Sequence, residues 1–530
     1  MNNKKIQVWL PLLFSIAIIV GMFLGYKMRD AMPGKSFFFA EKSRPVQEIM
    51  DLIKNRYVDD VDMQKLADTA IEAMLSKLDP HSVFIPAEEL QQVNEDLAGK
   101  FFGIGIEFYI FNDTLNVIHV LKDGPGYKAG LVIGDKFLKI GDSLVAGNKT
   151  DGDAFRQMLR GDRGTKVNIT YLRNKEKKQA VITRDAIPLT SVDASYMMTK
   201  DIGYIRLNKF SSVTYREFME SLEALKKTGM QKLVLDLRDN GGGVLDEAIE
   251  IADEFLEGDK LITYTEGKHI DKKEYRCRRV GQFEKGSLVV LADEGTASAS
   301  EILIGALQDW DRATIVGRRS FGKGLVQEQF DLSDKSALRL TIARYYTPVG
   351  RSIQRPYSNG GKAYYDEISN RYHDGETQHA DSVKNDTSKV YKTKGGKIVY
   401  AKGGISPDYF VAMDTSGFTK NTAMIYGKNT ISSFAYNFYL QNLALLKAFK
   451  TPADFVKGFA FTDEHWNQFV QAAAKDSVNI SAVSAKEKAD LVNRIRSSIA
   501  KQVWRNEGFF EVYNTGDEGI KKAIEILEKK

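Results

Sequence analysis

Leu288-Val289-Val290-Leu291-Ala292-Asp293-Glu294-Gly295-Thr296-Ala297-Ser298-Ala299-Ser300-Glu301-Ile302 opens as a short apolar run, breaks at glycine and small residues, and resumes as an apolar helix. An uninterrupted apolar run of this kind fits a strand covered on both faces, as in parallel sheets flanked by helices. The same reading extends outward. Strand-like runs Gly203-Tyr204-Ile205-Arg206-Leu207, Leu233-Val234-Leu235-Asp236-Leu237 and Ala313-Thr314-Ile315-Val316 alternate with helix-like Tyr215 to Lys227, Leu245 to Leu256 and Ser298 to Asp309. The alternation predicts an α/β core with its chemistry at the strand ends.

Upstream, Phe101 to Thr183 changes to short β-like runs between glycine turns, among them Gly105-Ile106-Glu107-Phe108-Tyr109-Ile110 and Val167-Asn168-Ile169-Thr170-Tyr171. Phe102-Gly103-Ile104-Gly105-Ile106 sets glycines just before a strand. Backbone N–H groups can converge there on a carboxylate while the strand edge stays open to an added peptide strand. Taken with Gly124-Pro125-Gly126-Tyr127-Lys128-Ala129-Gly130-Leu131 and Gly134-Asp135-Lys136-Phe137-Leu138-Lys139-Ile140-Gly141-Asp142, this region resembles a PDZ domain. Before it, Val46, Ile49, Met50, Ile53 and Tyr57, then Leu66, Ala70, Met74 and Leu78, keep helical spacing until Asp79-Pro80. His81 beside that proline reads as a turn residue, with a catalytic base as the alternative.

At the N-terminus, Lys4 and Lys5 precede Ile6 to Tyr26, where Gln7 and Ser15 are the only polar side chains before Tyr26. The stretch is close to the roughly 20 residues that span a bilayer as a helix. No small-x-small cleavage site follows it and no cysteine is near to carry a lipid, so it reads as an uncleaved signal anchor with a cytoplasmic N-terminus; a cleaved signal peptide is the alternative. Both readings export the rest of the chain. Downstream of the core, Tyr357 to Lys389 is polar and aliphatic-poor and reads as an insertion or loop, with a hairpin through Gly395-Gly396. From about Ser432 the pattern is helical again. Leu491, Ile495, Ile499 and Val503 form a packing stripe opened by a Ser484-x-x-Glu487 capping box.

A length of 530 residues with 43% hydrophobic and 27% charged residues fits a multi-domain globular chain. It excludes a disulfide-stapled mini-protein and a disordered polymer. The formal charge of +5, from 75 basic against 70 acidic residues, is too small for a surface that coats nucleic acid, so no nucleic-acid partner is expected. Cys277 stands alone, without a disulfide partner, a metal-ligand set or a Cys-His signature. There is no P-loop, zinc signature or internal repeat, and no metal or organic cofactor is expected.

Ser298 falls where a helix begins, next to unpaired backbone N–H groups and the positive end of the helix dipole, both suited to a developing oxyanion. Ser298-x-x-Glu301 also spells a capping box, in which the hydroxyl only closes the helix. Lys323 follows 25 positions later in Ser320-Phe321-Gly322-Lys323-Gly324-Leu325-Val326-Gln327. A lysine in apolar surroundings loses hydration of its charged form, its pKa falls, and the neutral amine becomes a general base. Gln327, four positions on, carries an amide oxygen that can orient that amine. Asp236-Leu237-Arg238-Asp239-Asn240-Gly241-Gly242-Gly243 ends a strand in three glycines, whose N–H groups can approach a substrate carbonyl.

In this order, and followed by Gly403-Gly404-Ile405-Ser406-Pro407-Asp408, these segments resemble the C-terminal processing peptidases, or tail-specific proteases, over about residues 45 to 410. The resemblance implies a multi-domain α/β (α+β) protein with a crotonase-like peptidase core. The divisions are a signal anchor or transmembrane helix (1–30), a helical unit (40–85), a PDZ domain (86–183), the Ser/Lys core (184–410, with a polar insertion at 357–400) and a helical C-terminal region (411–530). It implies a serine endopeptidase with Ser298 as nucleophile, Lys323 as general base and Gln327 as its orienter. Ala299 and either Gly242 or Gly243 would supply the oxyanion hole. Ser300 competes for the nucleophile's role, and the spacing to Lys323 selects Ser298. Substrates would be proteins or peptides with accessible C-termini, the tail carboxylate lying near Gly103, Ile104, Gly105 and Ile106. The N-terminal anchor reading places the chain in the cell envelope, anchored in the inner membrane with the catalytic part in the periplasm. The region after Ser432 departs from the family's minimal pattern and is open to oligomerisation, substrate selection or docking of an adaptor. An inert membrane-tethered PDZ scaffold or peptide-binding chaperone is the alternative, and a thiol hydrolase using Cys277 a second one.

Overall fold

The computed structural model describes Trp9 and residues 14–23, 44–383 and 386–529. Most of Ile6 to Tyr26 therefore lies outside the described residues. Among those described, no helix is long and apolar enough to cross a membrane. The chain divides into two compact units, Met1–Leu75 and Ser76–Lys530. In the first, the expected helical arm forms as Arg44–Arg56 and Met63–Leu75, with Val46, Ile49 and Leu52 exposed.

The second unit is built on a six-stranded sheet in the order Val192–Met197, Ile202–Leu207, Lys232–Asp236, Ser287–Ala292, Thr314–Gly317, Tyr409–Phe410. All neighbours after the first antiparallel pair are parallel. The period-2 alternation of strands explains how an all-apolar run is used. Leu233, Leu235, Leu288, Val290 and Ile315 pack under helices Thr214–Lys227, Leu245–Asp253 and Ala299–Asp309. Their alternates Tyr204, Val234, Val289, Leu291 and Val316 pack against Ile520, Ala523 and Leu527 of helix Glu518–Glu528. The second face of the core is thus roofed by a helix from the far C-terminal region.

A second sheet joins Val83–Ile85, Ala337–Tyr346, Leu261–Glu266 and Lys273–Arg276, with Leu325–Asp331 also paired to Ala337–Tyr346. Through Val83–Ile85 the Asp79-Pro80 turn belongs to this body rather than to the helical arm. The β-rich domain forms its own sheet, Ile106–Phe111, Thr114–Val120, Lys136–Ile140, Lys166–Arg173 and Glu176–Thr183, with Ser143–Leu144 beside Lys136–Ile140. Lys100–Gly103 and Asp185–Pro188 pair antiparallel as its entry and exit.

Two sequence expectations change. The stretch from Tyr357, read as a loop, contains helix Gly360–His373. Its inward residues are Tyr364 and the buried Arg371, so the aliphatic stripe that normally reveals a helix is missing. The Gly395-Gly396 hairpin forms, between Asp386–Lys392 and Ile398–Ala401. At helix Ala485–Tyr513, Ser484 caps the Glu487 N–H at 3.1 Å, but the Glu487 carboxylate turns away to accept from Thr419 and Thr422 at 2.7 and 2.5 Å. Only half of the expected capping box is made.

Candidate active site

Ser298 stands between strand Ser287–Ala292 and helix Ala299–Asp309 with φ 57° and ψ −116°, a conformation that costs a residue with a side chain about 1–3 kcal/mol. That backbone aims a half-buried hydroxyl out of the turn. It approaches the Glu301 N–H in a capping-box frame without forming a hydrogen bond to it. Ser300, two residues on, is fully buried and donates its hydroxyl to Asn240 O at 3.0 Å. Burial thus separates the two serines that spacing alone had to choose between.

Glu301 does more than cap. Its buried carboxylate accepts the Ser298 N–H at 2.9 Å and the Lys323 N–H at 2.8 Å on Oε2. On Oε1 it accepts the Ser320 hydroxyl at 2.5 Å and the Gly322 N–H at 2.7 Å. One side chain therefore staples the Ser298 turn to the Lys323 turn. Burial raises its pKa, and these four donors oppose the rise. The Tyr345 hydroxyl adds a second link, 3.1 Å from Ser298 O and 2.5 Å from Lys323 O.

Lys323 owes its position to the glycines around it. A Cβ on Gly322 would lie 2.8 Å from Gly404 N and 2.6 Å from Arg355 Cγ, and the Gly324 N–H donates to Gln354 Oε1 at 2.7 Å. Burial lowers the Lys323 pKa, and the nearby Arg339 charge lowers it further, against Glu301 and Asp79. Among the described residues its amine makes no ion pair, and it is not hydrogen-bonded to Ser298 Oγ. Gln327, expected to orient that amine, instead donates its amide to Thr341 Oγ1 at 3.4 Å. The two side chains are register partners in the strand pair Leu325–Asp331 and Ala337–Tyr346, and that pairing fixes the direction of the amide.

The Asp79-Pro80-His81-Ser82 turn completes this wall, a role its sequence did not disclose. Asp79 accepts from His81 N, Ser82 N, Ser82 Oγ and Thr341 Oγ1 at 2.6–3.0 Å. His81 Nε2 lies 2.9 Å from the Tyr364 hydroxyl. Burial, and then the Lys323 charge, push its pKa down to about 4, so the ring is neutral beside Lys323. Arg355 lies between the Phe321 and Tyr364 rings, 4.1 Å from each centroid.

Across from this wall, the Asp236–Gly243 loop abuts Ser298. A Cβ on Gly242 would lie 2.8 Å from both Ser298 Cβ and Ala299 N. The Gly242 N–H is already committed to Asn240 Oδ1 at 2.9 Å, whereas the N–H groups of Gly243 and Ala299 donate to no acceptor among the described residues. Of the three expected oxyanion donors, Gly243 and Ala299 are free. Asn240 holds the loop, donating its amide to Leu207 O at 2.9 Å and accepting the Ala297 N–H at 2.9 Å on its carbonyl.

In the β-rich domain, strand Ile106–Phe111 pairs on one side only, and its open edge runs beside helix Gly152–Leu159, with Phe108 and Phe155 rings 5.8 Å apart. The loop before it is locked by its carbonyls: Ile104 O accepts Gly126 N–H at 2.7 Å and Gly105 O accepts Leu121 N–H at 2.9 Å. Gly103 ends the entry strand, and the N–H groups of Ile104 and Gly105 donate to no acceptor among the described residues. Cys277 is buried, and burial with Asp253 pushes its thiol up to about 12, which removes it as a nucleophile.

Comparison with known proteins bears on the chain's family. Residues 201–360 match Peptidase family S41, 103–183 a PDZ domain, 27–89 the activating protease CtpB N-terminal domain, and 422–505 a family of unknown function, DUF8443. A carboxy-terminal-processing protease of Bartonella bacilliformis is 39% identical over 313 residues, covering 58% of this chain and 71% of that one. A probable CtpA-like serine protease of Staphylococcus epidermidis is 32% identical over 364 residues, covering 66% and 73%. Among solved structures, the photosystem II D1 C-terminal processing protease aligns over 71% of this chain and 94% of its own at 25% identity, with a TM-score of 0.36. On the extent of the match to its curated relatives, the chain belongs to the carboxy-terminal-processing serine proteases of peptidase family S41.

Proposed function

We propose that this serine protease cleaves proteins or peptides near their C-termini, with Ser298 as nucleophile and Lys323 as general base. The observation that carries the reading is Glu301, whose one carboxylate oxygen holds the backbone N–H of both residues at 2.8–2.9 Å. Neutral Lys323 takes the Ser298 proton as Oγ attacks the peptide carbonyl. The N–H groups of Ala299 and Gly243 receive the oxyanion. Lys323 then returns the proton to the leaving amine, and water, activated by the same amine, hydrolyses the acyl-enzyme. A Lys323 amine that is not hydrogen-bonded to Ser298 Oγ fits a resting arrangement that tightens when substrate binds. Gln327 is proposed to orient the amine in that tightened state.

The substrate's C-terminal carboxylate is proposed to sit on the Ile104 and Gly105 N–H groups, with the preceding residues added as a strand along Ile106–Phe111. Tail capture raises the local concentration of the scissile segment at the catalytic core. For location, we propose an anchor through Ile6–Tyr26 that places the catalytic unit on the exported side of the inner membrane. Alkaline extraction of membranes tests the anchor, since release of the full-length chain would refute it. The activity is tested with an unstructured protein bearing an apolar C-terminus. Ser298→Ala and Lys323→Ala are each expected to leave it intact, and full cleavage by either variant would reject the assignment.

A further inference from the structure

We propose that Asp293 is a positioning residue, a buried carboxylate that holds the oxyanion loop and the Ser298 turn in catalytic register and whose ionisation sets part of the enzyme's pH dependence. The proposal rests on the reading of Ser298 and Gly243 given above. Asp293 directly follows strand Ser287–Ala292 and is buried. Its Oδ1 accepts the Asp239 N–H at 2.9 Å from one loop and the Gly295 N–H at 3.0 Å from the other. Its own N–H donates to Thr296 Oγ1 at 2.9 Å, and that hydroxyl reaches back to Leu237 O at 2.9 Å. The loops touch at this point, since a Cβ on Gly295 would lie 2.8 Å from Asp239 Cα. Beyond the clamp, one loop leads to Gly242 and Gly243 and the other to Ser298 and Ala299. A shift of either would separate the nucleophile from its oxyanion donors, and misplacement on the ångström scale costs catalysis heavily.

The charge on this clamp is poorly compensated. Glu294 takes most of Arg318, through a bond of 2.8 Å, and the Tyr372 hydroxyl at 2.6 Å, leaving Arg318 3.8 Å from Asp293 Oδ2. Asp239 stands close by, while Arg238 is occupied by Asp236 and Asp517. Burial first, and then Asp239, raise the Asp293 pKa to about 6. A cavity of about 820 Å³, lined by Asp239, Asp293, Glu294 and Arg318 with Asp517 and Tyr372, gives protons a route to it. The ionised carboxylate makes charge-assisted hydrogen bonds to both loops, and the protonated acid makes weaker ones. Asn at this position keeps the shape and the acceptor and fixes the neutral state.

The test is kcat and KM for the full chain, wild type against Asp293→Asn and Asp293→Ala, from pH 4.5 to 8.5 on one unstructured protein substrate. Wild type is expected to exceed Asp293→Asn in kcat about tenfold at pH 8, the ratio falling towards one below pH 5, with KM within about twofold. Asp293→Ala is expected to fall about a hundredfold at pH 8, with Asn restoring part of the loss. A ratio of wild type to Asn that is constant with pH would overturn the proposal even if the Ala variant failed to fold. Ser298→Ala, assayed alongside, separates the two readings. Turnover surviving in it overturns the site and the proposal together, whereas a flat ratio with Ser298→Ala inactive overturns the role of Asp293 alone.

Discussion

The peptidase core and the C-terminal helical region are both well buried, but they are held by different means. In the peptidase core the chain buries charge: Arg319 with Glu376, Arg351 with Asp309, and Asp236 between Arg206 and Arg238. In the C-terminal region the interior is aromatic, with Phe434, Phe438, Phe455, Phe459, Trp466 and Phe469 packed around helix Ala485–Tyr513. A buried ion pair adds little net stability, because desolvation offsets its attraction, but it has few geometries that satisfy it. Aromatic rings fill volume and stabilise through the large apolar area they bury, most of them here meeting edge to face. Charge is placed where loop register decides chemistry, and rings where only packing is required.

The sharpest separation is expected from Ser298→Ala, which should lower kcat/KM by at least about a thousandfold with an unchanged unfolding temperature. A variant that lost its fold as well would break the comparison. Phe455→Ala tests the other side. The ring is fully buried and stacked on Phe459 at 4.5 Å, so its removal should cost about 3–5 kcal/mol in denaturant unfolding. Cleavage per folded molecule should stay within a few-fold of wild type, and a loss in proportion to activity would show the two regions to be one. Glu301→Gln keeps size but turns an acceptor into a donor facing N–H groups, and should lower kcat about a hundredfold. An unfolding curve that moved while kcat did not would mark Glu301 as merely structural.

The smallest effect concerns His81. Burial lowers its pKa in the folded protein to about 4, from the ordinary imidazole value of 6.5. The stability it contributes is therefore present above pH 6.5 and is lost as pH falls through 4. Urea midpoints of wild type should decline more steeply over that interval than those of His81→Gln. Parallel curves would remove His81 from the buried wall.

What could be read from sequence follows the same division. The core strands were legible because parallel strands are apolar on both faces, and Ser298, Lys323 and the triple glycine because each breaks such a pattern at a strand end. The β-rich domain was legible from two glycine-marked segments. Helix Gly360–His373 was hidden because its inward positions are Tyr364 and Arg371 rather than aliphatic. Glu301 was visible only as a helix cap; that it also holds Lys323 depends on two segments meeting in space. Gln327 turned to Thr341, Gly242 committed to Asn240, and His81 set against Tyr364 are long-range pairings, with no local pattern to announce them.

Helix Glu518–Glu528 carries a consequence for the order of events in synthesis. It roofs Val234, Val289, Leu291 and Val316, yet the ribosome delivers it roughly 200 residues after the last of them, an interval of about 10–40 s. Throughout that time the sheet that bears the protease's active-site loops has one bare apolar face. The core cannot close on that face until residues 518–528 have been made. The nascent chain needs either a chaperone or speed to survive the wait.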